Sequence, residues 1–336
     1  MRWWLKFARG AAFGLLPCQQ ELRSLKRRFR PYPTAIPPWT LEQGIRQIEA
    51  LRGAGCDLRG KRVLEVGTGW QPILPLLYHL SGASEVLLVD LQRLMDRETF
   101  LGTAHHLREH SALIASRLGL SEVEVERALT LEETPDSLEA ACRRFRFDYR
   151  APYDLTRQEL PPQSVDVVYS RTVLEHIPPD VLRRLLAALL PVLKRGGYAC
   201  HTIDNSDHWS HCDQSISPVN FLRYSDPAFA WLCRFNPLDY QNRLRHSEYV
   251  QIFRELGYSV EWEARDICPR AMEALATLPL SGRFRGMALD DLATIDSYFL
   301  ARRPAEKLDA QAVDTVQQPA AAGIDQRGPA TAGWAT

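Results

Sequence analysis

The sequence predicts an α/β protein: a doubly wound, mostly parallel seven-stranded sheet with an N-terminal helical extension and an inserted cap. Three observations lead there. Short apolar runs recur from Lys61 onward with helical segments between them, the pattern of strands joined by crossover helices. The run Val63-Leu64-Glu65-Val66 opens into the turn Gly67-Thr68-Gly69, and the next apolar run ends in Asp90, about 20 residues later. Finally, 336 residues at 45% hydrophobic content suffice for one large domain with a full core.

Residues 1–58 read as the helical extension, placed to cover a cleft. It holds a basic segment from Glu21 to Arg30, then Pro31, Pro33, Pro37 and Pro38, then an amphipathic run from Thr40 to Arg52. Thr40 with Gln43 three residues on has the form of a capping box. Residues 59–304 form the main domain, with strands expected at Arg62–Val66, Glu85–Val89, Phe145–Tyr149, Val165–Tyr169, Tyr198–Ile203, Ser259–Ala264 and Tyr298–Arg302. Helices are expected at Leu182–Leu193, stopping before Gly196-Gly197, and at Ser247–Leu256, stopping before Gly257. Residues 92–144 are too long for one crossover and should hold two or three helices. Residues 205–246, rich in aromatic, Arg and Asn residues, read as the cap, and residues 305–336, poor in large apolar side chains, as a disordered tail.

Lys+Arg and Asp+Glu are equal at 41 each, so no overall field favours nucleic acid, and no nucleic-acid partner is expected. The seven cysteines are scattered without a C-x-x-C pair, which argues against a disulfide framework or a thiolate zinc site and for a cytoplasmic location. No apolar run reaches the roughly 18 residues of a membrane-spanning helix. At the N-terminus Arg2, Lys6 and Arg9 surround Trp3, Trp4, Leu5 and Phe7, and the run Ala11–Leu16 follows. Gly10, Gly14 and Pro17 interrupt it and no small-residue cleavage site follows, so a helix packed on the rest of the chain is preferred to a signal peptide. The tryptophans also suit weak contact with a membrane surface.

The glycine turn alone is a weak signal. Asp90 strengthens it, because a carboxylate at a strand end can accept both hydrogen bonds of a ribose diol, which points to an adenosine-type ligand. An N-cap role for Asp90 is the ordinary alternative and is compatible with binding. Further motifs follow in order: Asp154-Leu155, Leu160-Pro161, Ser164-Val165-Asp166-Val167-Val168-Tyr169-Ser170, Thr172-Val173-Leu174-Glu175-His176-Ile177, Leu193-Lys194-Arg195-Gly196-Gly197-Tyr198, and Phe299-Leu300-Ala301-Arg302-Arg303-Pro304.

With these motifs the chain resembles the class I S-adenosylmethionine-dependent methyltransferases, mainly over residues 60–203. The resemblance implies a Rossmann-like methyltransferase fold and S-adenosylmethionine as cofactor. It implies that Glu65, Gly67, Thr68 and Gly69 surround the methionine end, that Asp90 binds the ribose, and that Leu91 lies against adenine. Asp154, with Leu155 beside it, would accept from the adenine amino group, and Ser170 and Arg171 would line the reaction edge. Gln71 stands where many members carry a third glycine and Pro72 follows, so the helix should begin with Pro in its first turn and the methionine end should deviate. A nicotinamide-dependent oxidoreductase ranks well below, since its third glycine would fall on Pro72 and it leaves Glu175-His176 and Gly196-Gly197 without a role.

The segment His201-Thr202-Ile203-Asp204-Asn205-Ser206-Asp207-His208-Trp209-Ser210-His211 follows the fifth strand at the substrate edge. Three uses compete for it: a metal site from His201, Asp204, His208 and His211; a general base, for which His208 or His211 is preferred; or hydrogen bonds that start the insertion. The spacing matches no ligand signature, so no metal is expected. His176 is a further catalytic candidate. His201 and Asp204, with Arg223, Tyr224, Asn242 and Arg243 of the cap, are candidates for binding the acceptor, the arginines suiting a carboxylate or phosphate; a salt-bridged solvated face is the alternative. The expected reaction is methyl transfer to an O or N nucleophile of a small metabolite or natural-product intermediate, an acidic one if the arginines meet it. A lipid or surface-polysaccharide acceptor, or cofactor binding without turnover, are the competing functions.

Overall fold

The computed structural model describes residues 2–5, 8, 36–131, 133–235 and 240–305. The segment Glu21–Arg30, the run Ala11–Leu16 and the expected tail beyond residue 305 lie outside the described residues. Seven strands form one sheet in the order β3-β2-β1-β4-β5-β7-β6. They are β1 (Arg62–Val66), β2 (Glu85–Val89), β3 (Phe147–Arg150), β4 (Val165–Arg171), β5 (Leu193–Asp204), β6 (Ser259–Ile267) and β7 (Thr294–Arg302). The first five are mutually parallel, and β7 runs antiparallel to both β5 and β6. All seven strands stand where apolar runs predict them, and β1 and β2 match to the residue.

The differences have local causes. Phe145 belongs to the end of a helix, and Arg146 follows with φ 57°, so the third strand starts two residues late. The fifth strand instead starts five residues early, at Leu193, and takes in the glycine pair expected to precede it. Gly196 has φ 73°, and a Cβ on Gly197 would stand 2.8 Å from the Asp166 and Lys194 carbonyl oxygens, beside the irregular register of β4 and β5.

Helix α1 (Pro38–Gly53) starts on Pro37 with Pro38 in its first turn, so Thr40 is a buried interior residue and not the cap that its spacing to Gln43 predicts. Its Ile45, Ile48 and Leu51 are fully buried, and a Cβ on Gly44 would stand 2.7 Å from Leu77 of α2 (Ile73–Leu80). Residues 92–144 hold four helices where two or three are expected: α3 (Arg97–Glu109), α4 (Ser111–Leu118), α5 (Glu122–Leu129) and α6 (Leu138–Arg144). His110 separates the first two; left-handed Gly119 and the Ser121–Glu124 capping box separate the next. Helices α1–α6 share one apolar core with alternate residues of β1, β2 and β4. The other face carries α7 (Pro179–Val192) and α9 (His246–Glu255). This is the doubly wound arrangement, with connections diverging between β1 and β4.

The cap has a third core of its own. Trp209, Phe221 and Phe229, the last on α8 (Asp226–Phe235), pack against Ala271 and Leu275 of α10 (Pro269–Leu275) and Leu292 of α11 (Leu289–Leu292). The insertion at 205–246 is thus completed by the connection between β6 and β7, which carries no motif in the sequence. Trp3 stacks on Trp209 at 5.1 Å and its amide donates to Asp213, while Trp4 and Leu5 are exposed. No described helix is long and apolar enough to cross a membrane.

Candidate active site

A cavity of about 750 Å³ opens at the carboxyl ends of β1, β2 and β4, at the divergence point of the sheet. The glycine turn forms its floor. Gly67 has φ 74°, and a Cβ there would lie 2.6 Å from Val173; Gly69 needs only its φ of 65°, with open space around it. The Gly69 amide donates to one oxygen of Asp90 at 2.9 Å and the Gln92 amide to the other at 2.9 Å. Asp90 is therefore aimed by two backbone amides, with lone pairs left over. Burial raises its pKa, and the amides of Gln92, Gly69 and Leu91 oppose that rise. Leu91 is 44% exposed at the cavity wall, an apolar surface that lacks cover from the protein itself.

Asp154 and Leu155 line the same cavity; Asp154 accepts from the Thr156 amide at 2.9 Å and hydroxyl at 2.6 Å. Glu65 and Thr68 lie at its deep end. Burial pushes the Glu65 carboxyl up to about 8, against the pull of Thr68 and Arg171. Pro72 takes the position just before α2, one residue earlier than the first-turn place expected of it. Arg171, Thr172 and His176 complete the far wall. Arg171 donates to Gln43 of α1 at 3.1 Å. Thr172, a β-branched residue at φ 50°, is backbone strain at the cavity edge worth about 1–3 kcal/mol. Its amide donates to the Thr202 carbonyl at 2.8 Å, which fixes it there.

Other predicted residues sit elsewhere. Ser170 is buried outside the cavity, its hydroxyl 2.8 Å from Nδ1 of His201. His201 stacks on Phe253, and burial lowers its pKa to about 3, so it is a neutral core residue. Asn242 donates to the Leu174 and Ile177 carbonyls and accepts from the Tyr249 hydroxyl. Arg243 donates to the Phe221 and Tyr224 carbonyls, pairs with Asp226 and lies over the Phe229 ring. Both are committed to holding the cap, and neither lines the cavity. Arg223 is exposed, and Tyr224 packs on the cap core.

Behind His176 stands a polar cluster. The His176 and His208 rings are 5.0 Å apart, and His208 and His211 are 5.1 Å apart. Asp204 Oδ2 is 3.3 Å from His208 Nε2 and 3.7 Å from His211 Nε2. Burial opposes ionisation of Asp204, but His208, His211 and the Ser206 hydroxyl outweigh it and hold the carboxyl well below its usual range. Glu175, 1% exposed, faces the same cluster, and neither of its carboxyl oxygens has a side-chain hydrogen-bond partner among the described residues. Burial, then the Asp204 charge, raise its pKa well above normal, while the backbone amides of Glu175 and Asp204 pull the other way. In the sequence Glu175 stands out only as part of the motif Thr172-Val173-Leu174-Glu175-His176-Ile177, and a carboxylate flanked by His176 is the signal it offers.

A methyltransferase-domain family model matches residues 41–261. The chain belongs to this methyltransferase family. It is a class I enzyme whose cofactor is S-adenosylmethionine, and the chemistry of the cavity fits such a group: a carboxylate aimed by two backbone amides, an uncovered leucine, and a Gly67 whose place a side chain would not fit. No curated protein matches the sequence. Among solved structures the methyltransferase is similar to an S-adenosylmethionine-dependent methyltransferase from Mesorhizobium loti, at 16% identity and TM-score 0.41, over 76% of this chain and 96% of that one. It is also similar to the Haemonchus contortus phosphoethanolamine N-methyltransferase 2 in complex with S-adenosyl-L-methionine, at 16% identity and TM-score 0.42, over 77% of this chain and 52% of that one.

Proposed function

We propose that the methyltransferase acts on an oxygen or nitrogen nucleophile of a small molecule that enters beside His176. One observation carries this reading: a single cavity runs from Asp90 and Leu91 to Arg171, Thr172 and His176, where the cluster of Asp204, His208 and His211 begins. Bound at the first end, S-adenosylmethionine supplies a methyl group made electrophilic by its sulfonium. Asp90 would hold the ribose, Leu91 would lie against the adenine, and Asp154 would accept from its amino group. The glycine floor admits the methionine end. His176 and the cluster behind it would orient the acceptor so that its lone pair faced the methyl group. The nucleophile's proton leaves through this polar wall. Asn242 and Arg243, spent on the cap, give no ground for an acidic acceptor.

Calorimetry with S-adenosylhomocysteine, and methyl transfer from labelled cofactor to fractionated small-molecule extract, test this. Asp90→Ala should lose about 100-fold in affinity, the worth of two hydrogen bonds to a carboxylate. His176→Ala should keep that affinity and lose turnover. Wild-type affinity in Asp90→Ala, or label confined to macromolecules, overturns the reading.

A further inference from the structure

We propose that Glu175, His176 and His208 form a binding site for one divalent first-row transition ion of the zinc type, placed to take an oxygen of the methyl acceptor. The proposal rests on the reading above for the place of the acceptor, but not for the binding of the ion. One ligand atom from each of the three residues lies within 4.8 Å of the other two. Bonds of about 2.0–2.2 Å to a tetrahedral ion need ligand atoms roughly 3.4 Å apart, so small side-chain movements close the set.

Three independent features favour an ion over a simple polar cluster. First, Glu175 is 1% exposed, and neither of its oxygens has a side-chain hydrogen-bond partner among the described residues although they face two imidazoles. An unsatisfied buried carboxyl is costly, and an ion supplies the missing partner. Second, Nδ1 of His176 lies 2.9 Å from the Tyr240 carbonyl, which must accept, so Nδ1 carries the proton and Nε2 the lone pair. A backbone carbonyl that fixes the tautomer from behind is the usual support of a ligating histidine. Third, neither Glu175 nor Asp204 has a lysine or arginine within ion-pair distance among the described residues, so no side-chain cation of that kind competes with an ion for the Glu175 carboxyl.

Two imidazoles and a carboxylate select zinc, cobalt or iron(II) over magnesium and calcium, which favour oxygen-rich shells. His176 is the one member that also lines the cavity, so the open coordination position faces the acceptor. There the ion lowers the pKa of a bound hydroxyl, as it does for bound water. The hydroxyl releases its proton to solvent, its oxygen forms the bond to the methyl carbon, and the carbon–sulfur bond breaks with its pair on sulfur.

The test uses the full-length protein, stripped with a chelator, verified metal-free by elemental analysis and titrated with Co²⁺ under absorption spectroscopy. One equivalent should bind with the strong visible bands of a four-coordinate N/O site, Zn²⁺ should displace it, and Mg²⁺ should not. Glu175→Gln and His208→Asn should each lower Co²⁺ affinity by more than about 100-fold while retaining wild-type affinity for S-adenosylhomocysteine, which reports that they fold. Asp204→Asn, beside the ion, should lose about 10-fold to 100-fold. Stoichiometric Co²⁺ binding that is the same in Glu175→Gln and His208→Asn overturns the proposal, as does its absence in wild type that binds S-adenosylhomocysteine. Full methyl transfer by verified metal-free protein overturns the ion's role in turnover. Loss of S-adenosylhomocysteine binding by wild type with Co²⁺ still bound would count against the methyl-transfer reading and leave the ion site standing.

Discussion

Glu65 lines the cavity with its ionisation displaced, and the displacement has a sign. An exposed glutamate in the unfolded chain titrates near 4.5, whereas burial holds the folded carboxyl near 8, so between those values the folded protein keeps a proton that the unfolded chain has lost. Stability from this group therefore declines as pH rises from about 4.5 to about 8 and then levels. Glu65→Gln, neutral throughout, should melt at a temperature advantage that grows with pH across this window, measured by circular dichroism; a constant difference would show that Glu65 is ionised in the free protein. Residues at the ends of strands were legible in the sequence, because Asp90 and the glycines announce themselves by position after an apolar run. Asn242 and Arg243 were not, because an amide or guanidinium looks the same in a sequence whether its partner is a ligand or a backbone carbonyl. His201 failed for a related reason: a histidine on a central strand is more readily a buried neutral ring than a base.

At the scale of elements, strand positions were legible and helix boundaries less so. Strands buried on both faces are continuous apolar runs with little ambiguity, while Thr40 and Gln43 imitate a cap inside a helix that a proline already starts. The joint between the cap and the sheet was invisible, since it depends on Arg245 at the start of α9. Arg245 is fully buried, and its guanidinium donates to the carbonyls of Asn205, Asp291, Leu292 and Thr294, drawing together the cap entry and the start of β7. Arg245→Met preserves bulk but leaves those carbonyls unpaired. A loss of about 3–5 kcal/mol is expected in urea unfolding, with faster hydrogen exchange in both joined segments. A change under 1 kcal/mol would mean that water replaces the guanidinium there.

For the whole molecule, the architecture was legible from the order of apolar runs and glycine turns, but the status of the N-terminal region was not. Amphipathic pattern cannot tell a helix that covers a cleft from one that builds a face of the core. Helix α1 contributes Leu41, Ile45, Ile48 and Leu51, all nearly or fully buried. At about 2 kcal/mol each, their loss is comparable with the 5–15 kcal/mol of net stability that a domain possesses. A chain beginning at residue 54 should therefore fail to give a cooperative thermal transition; a sharp transition with retained S-adenosylhomocysteine binding would refute this.

The reversed direction of β7 has a practical result. Every parallel strand delivers the chain to the edge where the cavity lies, but β7 starts there, opposite Asp204, and runs back to Arg302 beside Tyr198. Arg303 then seals the chain to the Gly196 and Gly197 backbone at the far edge, while residues 2–5 sit on the cap. Arg303 thus stands on the side of the sheet remote from the cavity, so a label or cross-link attached at that residue is kept apart from the cavity by the length of the strands.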